Sequence, residues 1–182
     1  MPPSPRPAPA PAGIEPPARP PHLGDGQHGG HVKDSADIER RLDAAAHACT
    51  EAGVRFTDLR RHVLALILGS SGPATAYALL DRLQETRRAA PPTVYRALEF
   101  LQQQGLIHRV ERLQAFIGCD EGAAHTHAAQ FLICRACGAV DEVDDHAIAD
   151  ALGHAAAAKG FTPAHATVEV EGTCAACLVA AA

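Results

Sequence analysis

The sequence predicts an α+β fold built from two unlike parts, and three observations lead to this prediction. Residues 35–105 carry four stretches of helical periodicity, which two short β-rich stretches follow. Two Cys-x-x-Cys motifs lie in the second half of the chain. Residues 55–118 hold nine Arg against five acidic residues, whereas residues 119–182 hold one Arg and one Lys against nine acidic residues. The chain is therefore expected to pair a basic domain with an acidic one.

Residues 1–34 are expected to form a disordered tail, because Pro, Gly and Ala replace the large apolar residues that stabilise a core. The tail contains scattered histidines, to which we assign no site: His22, His28 and His31. No apolar run approaches the roughly 18 residues of a membrane span, and no signal peptide is recognisable. We therefore expect a cytoplasmic protein without a membrane contact. Cysteines in that compartment are more often metal ligands or reactive thiols than disulfides.

Four helices are predicted between residues 35 and 105, each with an apolar face at helical spacing. Their start and stop signals are the N-caps Ser35, Thr57 and Thr75, the N-terminal prolines Pro91 and Pro92, and the stop residues Gly53 and Gly105. The β-rich stretches LIHRV and AFIGC follow, and the polar link ERLQ predicts that they form a hairpin. This order of elements is typical of a winged helix-turn-helix domain, here over residues 35–118.

In that fold the last helix before the wing enters the major groove of DNA. Tyr95 and Arg96 lie on this helix and are the candidate DNA contacts, because an Arg can bind guanine in a bidentate manner. Tyr77, at the start of the preceding helix, is a candidate contact to the DNA backbone, as are Arg60, Arg61 and Arg112. A packing role for Tyr95 and a phosphate contact for Arg96 remain open.

Residues 130–182 are predicted to form a second, α+β dimerisation domain, which a hinge at residues 119–129 joins to the first. The elements expected are strands QFLIC and AVDEV, helix DHAIADALGHAAAAKG, strand ATVEVEG and a short helix in TCAACLVAAA. The helix and the return strand supply enough chain to bring the second Cys-x-x-Cys motif beside the first.

Cys134-x-x-Cys137 and Cys174-x-x-Cys177 are separated by 36 residues. Four thiolates can close a tetrahedron around zinc, and such a saturated shell leaves no position for a substrate, so the metal would be structural. The alternative is a redox dithiol, but that chemistry needs only one such motif. The spacing favours a zinc site made of four cysteines.

A second group of metal-binding residue types lies near the junction of the two domains: His108, Cys119, His125, His127 and Glu142. One thiolate with imidazoles and a carboxylate suits zinc better than iron. A metal there would fix the orientation of the two domains and make occupancy a conformational signal. The alternative is a set of surface histidines beside a small buried cysteine. Cys49 lies outside both groups and is expected to be a buried, small apolar residue.

The sequence resembles the ferric uptake regulator (Fur) family, and within it the zinc uptake regulator (Zur) branch. The resemblance covers roughly residues 44–179. Its most specific parts are AGVRFTDLRRHVL, AYALLDRL, PPTVYRALEFLQQQGLIHRV, HAAQFLICRACGAVDEV and GTCAACL. The long Pro-rich tail is not a feature of the family.

The resemblance implies two zinc ions per protomer. The regulatory zinc of the branch matches His108, Cys119, His127 and Glu142, and the structural zinc matches Cys134, Cys137, Cys174 and Cys177. Many family members have a third metal site, to which His125, His146 and His165 could contribute here. Ala149 stands where a further carboxylate would be expected, so the indication for a third site is weak.

We therefore expect a homodimeric transcriptional repressor, without catalytic activity, in which zinc is the corepressor. The resemblance implies an A/T-rich inverted-repeat operator of zinc-uptake genes as its double-stranded DNA partner. One alternative is a family member that senses iron, peroxide, manganese or nickel. A zinc hydrolase or a thiol oxidoreductase would not explain the basic winged domain, and no free acidic residue is spaced as a general base for hydrolysis.

Overall fold

A computed structural model describes residues 34–86, 90–119, 129–164 and 166–180. The predictions for the tail histidines and for His125, His127 and His165 lie outside the described residues. Within the described ranges, no helix is both long enough and apolar enough to cross a bilayer.

The N-terminal part contains helices α1 (Ser35–Glu51), α2 (Asp58–Leu68), α3 (Ala76–Thr86) and α4 (Pro91–Gln103). Thr57 caps α2 by accepting a hydrogen bond from the N–H of Arg60, and Thr75 accepts one from the N–H of Ala78. The prediction that Ser35 caps α1 is wrong. Ser35 is the first helical residue, because the carbonyl of the preceding Asp34 accepts the N–H groups of Asp37 and Ile38.

These helices enclose the larger hydrophobic core, whose centre is made of leucines and valines that are almost inaccessible to solvent: Leu42, Val63, Leu64, Leu79, Leu83, Val94, Leu98 and Leu101. Each is worth roughly 1.5–3 kcal/mol relative to an exposed side chain. Cys49 belongs to the same core, as predicted, and burial raises the pKa of its thiol.

The wing follows α4 and consists of β2 (Ile107–Val110), a 3-10 turn (Glu111–Leu113) and β3 (Ala115–Gly118). A two-residue strand, β1 (Ala74–Thr75), pairs with β3 to give the sheet order β1-β3-β2. Sequence patterns did not predict β1, which is too short for a periodicity signal. Gly118 lets the wing approach α2, because a Cβ at that position would come within 2.5 Å of Leu68 Cδ2.

The second part contains strands β4 (Ala129–Cys134) and β5 (Val140–Val143), helix α5 (His146–Ala157), strand β6 (Thr167–Gly172) and helix α6 (Ala175–Ala180). The strand order is β5-β4-β6, with β4 antiparallel to β5 and parallel to β6. The predicted fold class, a winged helix-turn-helix followed by a small α+β unit, is confirmed. Its exact division at residues 34, 118 and 129 stays a prediction.

A smaller apolar core joins the two parts. Val110, Leu113 and Ile117 of the wing pack against β4 and β5 residues of the second sheet: Ala129, Phe131, Ile133 and Val140. The opposite face of that sheet exposes Leu132 and Val170, which are register partners on β4 and β6. One face of the second sheet therefore supports the wing, and the other exposes Leu132 and Val170 although Gln130 and Cys134 are buried there.

Candidate metal centres and nucleic-acid interface

The four cysteines of the two Cys-x-x-Cys motifs meet where β4 and β6 end. Cys134 is the last residue of β4 and pairs with Gly172, two residues before Cys174. The ligand atoms of Cys134, Cys137, Cys174 and Cys177 all lie within 4.8 Å of one another. The Cys137 and Cys174 sulfurs are 3.8 Å apart. That distance matches the edge of a tetrahedron with Zn–S bonds of about 2.3 Å, so the donor set fits zinc.

The backbone around the first motif is arranged to stabilise a thiolate. A tight turn places Gly138 at a φ of +74°, and its N–H donates to the carbonyl of Cys134. The N–H of Cys174 donates to the sulfur of Cys134 at 3.3 Å. Burial raises the pKa of Cys134, but hydrogen bonds from the N–H groups of Cys174, Cys137 and Ala136 outweigh it and bring the pKa to about 6.

The neighbouring thiols do not ionise with equal ease. Hydrogen bonds with Cys174 and Cys137 raise the pKa of Cys177 to about 12, and burial raises that of Cys137. Four thiolates crowded together repel one another unless a cation neutralises them. The meeting of four cysteine sulfurs within 4.8 Å, and not the ionisation of any one of them, favours a metal site over a redox pair.

A second cluster lies at the junction of the two parts and is assembled from three elements. His108 comes from β2, Cys119 follows β3 directly, and Glu142 comes from β5. Their ligand atoms lie within 4.8 Å of one another, and His108 Nε2 is 3.1 Å from Glu142 Oε1. Two of these residues belong to the winged part and the third to the second sheet. A metal held here would connect the two parts.

The second cluster is largely shielded from solvent. Cys119 is buried, the His108 side chain is 16% exposed and that of Glu142 is 9% exposed. Burial lowers the pKa of His108, but hydrogen bonds and charge from Cys119 and Glu142 outweigh it and raise the pKa to about 9. At neutral pH the His108 ring of the metal-free protein is therefore expected in its positively charged form. It must lose one of its two ring protons before it can bind a metal.

Several contacts position these residues. The Cys119 N–H donates to the carbonyl of Leu106 at 3.1 Å, and the guanidinium of Arg41 on α1 donates to the Cys119 carbonyl. The His108 ring lies 5.8 Å from the Phe131 ring, measured between centroids. The cluster is thus fixed by α1, by the residue that precedes β2 and by β4 as well as by its own strands.

His146, which was considered for a third metal site, lies apart from both clusters, and so does Cys49, which was expected to be a buried apolar residue. His146 is the first residue of α5, has an 87% exposed side chain and lies 4.0 Å from Asp144. Cys49 is buried in the helical core. Within the described ranges, only the two clusters above group three or more His, Cys, Asp or Glu side chains tightly enough for a metal.

The candidate DNA-contacting residues project from the helix-turn-helix into solvent. On α4, Val94, Ala97 and Leu98 are buried, whereas Tyr95 is 60% exposed and Arg96 is also exposed. Tyr77, the second residue of α3, is 73% exposed. Tyr95 therefore does not pack beneath its helix. Large exposed aromatic side chains on a basic domain are available for contact with a ligand.

The three arginines considered for DNA-backbone contacts have partners within the chain. The Arg60 guanidinium lies 3.4 Å above the centre of the Phe100 ring. Arg61 pairs with Glu39 and Asp43 of α1. Arg112 pairs with Glu171 of β6 at 2.7 Å. Sequence reasoning missed the contribution of β6, because nothing in a local pattern links residue 112 to residues 169 and 171.

Comparison with known proteins places these features in one family. The sequence model of the ferric uptake regulator family matches residues 51–171. The zinc uptake regulation protein of Escherichia coli strain K12 is 40% identical over 146 residues, which are 80% of this chain and 85% of that protein.

Two solved structures resemble the chain over most of their length. The structure of a zinc uptake regulator complexed with zinc and DNA has a TM-score of 0.76 and 39% identity, covering 80% of this chain and 98% of that one. The crystal structure of holo XcZur has a TM-score of 0.71 and 41% identity, covering 76% of this chain and 96% of that one. The chain described here belongs to the ferric uptake regulator family.

Proposed function

We propose that the protein is a zinc-responsive transcriptional repressor of zinc-uptake genes, acting in the cytoplasm as a homodimer and without catalytic activity. The observation that carries the proposal is the cluster of His108, Cys119 and Glu142, which joins a basic winged helix to a second sheet. The relatives named as zinc uptake regulators support zinc as the signal.

In this proposal each protomer holds two zinc ions with different roles. Cys134, Cys137, Cys174 and Cys177 would hold the structural ion, because four thiolates leave no exchangeable position. His108, Cys119 and Glu142 would hold the regulatory ion together with His127, which lies outside the described residues. A sulfur ligand from the buried Cys119 favours zinc over iron. The third site that His125, His146 and His165 could form is not part of the proposal.

The physical basis of the response is linkage between metal and DNA. The ligands of the regulatory cluster come from both parts, so only one relative orientation brings them within bonding distance. A metal that binds this orientation more tightly raises its population. If the same orientation spaces two reading helices for successive major grooves, zinc and DNA strengthen each other's binding.

The exposed apolar surface of the second part supports dimerisation through residues 130–182. Helix α5 buries no residue in the single chain, and Ile148 and Leu152 on it are 38% and 40% exposed. Leu132 and Val170 are exposed on the neighbouring sheet. An Ala-rich helix with apolar residues and no buried face needs a further surface to pack against. A second copy of the chain provides one.

In the proposed complex, α4 enters the major groove and Arg96 reads a base, with Tyr95 beside it and Tyr77 near the DNA backbone. Their exposure on the basic part of the chain supports this arrangement. A homodimer with two such helices requires an inverted-repeat operator.

Salt dependence tests the proposal against the hydrolase alternative. We would select duplexes from a random library with the zinc-loaded protein and measure their binding by fluorescence anisotropy between 50 and 200 mM salt. Over this range, added salt weakens binding that depends on several phosphate contacts by roughly 10³–10⁵. Selection of an inverted repeat with a steep salt dependence is expected. Failure to select any sequence, or binding that is insensitive to salt, would contradict the proposal.

A further inference from the structure

The wing turn is held by a carboxylate from the second sheet. The N–H of Glu111 donates to Glu169 Oε1 at 2.6 Å, and the N–H of Arg112 donates to Glu169 Oε2 at 3.0 Å. The Arg112 guanidinium also donates to Glu171 Oε1 at 2.7 Å. We refer to Glu169, Glu171 and their partners at residues 111–112 as the wing clamp.

Glu169 acts as the cap of the 3-10 turn Glu111–Leu113. The N-terminal N–H groups of a helical turn have no partner within the turn, and Val110 at the cap position contributes no side-chain hydrogen bond. Each oxygen of the Glu169 carboxylate therefore accepts a hydrogen bond from one of two adjacent N–H groups. Such charge-assisted hydrogen bonds are stronger than neutral ones. Within the clamp, Glu169 accepts from backbone N–H groups, whereas Glu171 accepts from the side chain of Arg112.

The turn also has hydrogen bonds and an ion pair of its own. Gln114 has a left-handed backbone conformation, with a φ of 49°, and its side-chain amide donates to the carbonyl of Glu111 at 2.7 Å. Arg109 donates to Gln114 Oε1 at 2.6 Å and lies 3.3 Å from Glu111 Oε2. The Glu111 carboxylate is thus paired with Arg109, away from Glu169.

The clamp and the regulatory cluster lie in one row of the second sheet. Phe131 of β4 is the register partner of Glu142 on β5 and of Glu169 on β6, so the three side chains share a face. Two strand spacings separate the carboxylates by about 10 Å. His108 and Glu111 are three residues apart along the wing, a rise of about 10 Å in an extended strand. The two carboxylates therefore hold β2 at its two ends.

The two ends differ in chemistry. At one end Glu142 meets His108 and Cys119, a group that can hold a metal. At the other end Glu169 meets backbone N–H groups, and no metal-binding group of the described residues includes it. The apolar contact of Val110 with Phe131 and Ile133 lies between them. One attachment of the wing includes a group that can hold a metal, and the other consists of hydrogen bonds to the backbone.

We propose that Glu169 is a positioning residue that keeps the wing turn attached to the second sheet whether or not zinc is bound, so that the regulatory ion has only the free end of β2 to fix. The inference rests on the proposed zinc response. Attachment at one end restricts the orientations that the metal-free protein samples, which raises the fraction that is competent to bind zinc. The clamp therefore sets the free zinc concentration at which the switch operates.

Amide hydrogen exchange tests the clamp directly, because the two donors are backbone N–H groups. The full-length protein would be measured with both zinc ions and after a chelator has left one zinc per protomer. The Glu111 and Arg112 amides are expected to be protected in both states, and to lose protection in Glu169→Ala. Protection that appears only with the second zinc would overturn the proposal.

Zinc-dependent DNA binding tests the functional consequence. For Glu169→Ala, the free zinc concentration that gives half-maximal binding of a selected duplex is expected to rise on the order of ten-fold, and full binding should return at higher zinc. Glu169→Gln keeps one acceptor oxygen and should fall between Glu169→Ala and the wild type. Glu51→Gln, which removes the same charge from an exposed end of α1, should have no effect.

An unchanged zinc midpoint in Glu169→Ala would overturn the proposal. Loss of the zinc response at every concentration, in a protein that keeps its four-cysteine zinc, would also overturn it, because Glu169 would then behave as a ligand. If the wild type binds the duplex without zinc, the proposed function fails, and the exchange experiment still decides whether the clamp exists.

Discussion

The two candidate metal centres differ in their ligands and in the way they are assembled. Cys134, Cys137, Cys174 and Cys177 come from the ends of two adjacent strands and from the helix that follows, all within the second part of the chain. His108, Cys119 and Glu142 come from both parts. A metal bound by the four cysteines connects elements of one part of the chain. A metal bound by His108, Cys119 and Glu142 fixes the winged part against the second sheet.

This difference separates a contribution to folding from a contribution to signalling. The four-cysteine cluster connects the ends of β4 and β6, which pair in parallel. On the outer face of this strand pair, Leu132 and Val170 are exposed. The cluster of His108, Cys119 and Glu142, here called the junction cluster, lies beside an apolar contact that already joins the wing to the sheet. Loss of metal from the four-cysteine cluster should therefore unfold the second part of the chain. Loss of metal from the junction cluster should change only the orientation of the winged part relative to the second part.

The largest effect is expected for Cys174→Ser, which breaks the four-cysteine cluster. Structural zinc contributes about 10–16 kcal/mol in small domains, which is as large as the whole stability of many domains. The second part should therefore unfold and the protein should lose both zinc ions and its dimeric state. Circular dichroism, metal analysis and light scattering would measure this. A folded Cys174→Ser dimer with the wild-type zinc content would contradict the structural role.

Cys119→Ser should separate the two roles. A hydroxyl is a poor zinc ligand in place of a thiolate. The variant should retain one zinc per protomer and its circular dichroism spectrum, and should lose zinc-dependent DNA binding. Cys49→Ser is the matched control, because Cys49 is equally buried but belongs to neither cluster. Normal zinc-dependent binding by Cys119→Ser would show that this assignment is wrong.

Arg96→Ala should affect DNA reading without affecting either cluster. The loss of a bidentate base contact costs about 1–3 kcal/mol and relaxes specificity at one position. Binding to selected and single-base-substituted duplexes measures both effects, and the zinc content should stay at two per protomer. Arg40→Ala is a suitable control, because Arg40 is 72% exposed on α1 and pairs with Asp37 of the same helix. Equal loss for all sequences would indicate a phosphate contact instead.

Cys49→Ser should have the smallest effect on the switch. A buried hydroxyl without a partner costs about 1–3 kcal/mol, so denaturant unfolding of the helical core should shift to lower denaturant concentration. The zinc midpoint for DNA binding should not change. A changed midpoint would mean that the helical core, and not only the junction, controls the response.

Local signals in the sequence predicted most of the elements. Thr57, Thr75 and Pro91 start helices where expected, and Gly105 ends α4 with a φ of +66°. The spacing of the Cys-x-x-Cys motifs predicted that the four cysteines meet. The helix ends depend on contacts between neighbours in the chain, so local patterns predict them. The meeting of the four cysteines depends only on one hairpin, one helix and one return strand, each of which has a local pattern of its own.

Contacts between the two parts could not be predicted in the same way. The grouping of His108, Cys119 and Glu142 followed from their residue types and from the resemblance, since no periodicity joins β2 to β5. The bonds of Glu169 to the backbone of residues 111 and 112 have no sequence signal, because any residue supplies an N–H group. Strand β1 is stabilised by pairing with β3 and not by its own composition.

In the proposed function, the cluster of His108, Cys119 and Glu142 converts zinc occupancy into DNA binding. The most direct test is to titrate a selected inverted-repeat duplex with the purified dimer across a buffered series of free zinc concentrations, with the zinc content per protomer measured at each point. Binding should appear as a second, weaker zinc ion fills while the first stays bound throughout. Binding that is complete with one zinc per protomer, or that follows iron or peroxide instead, would contradict the account.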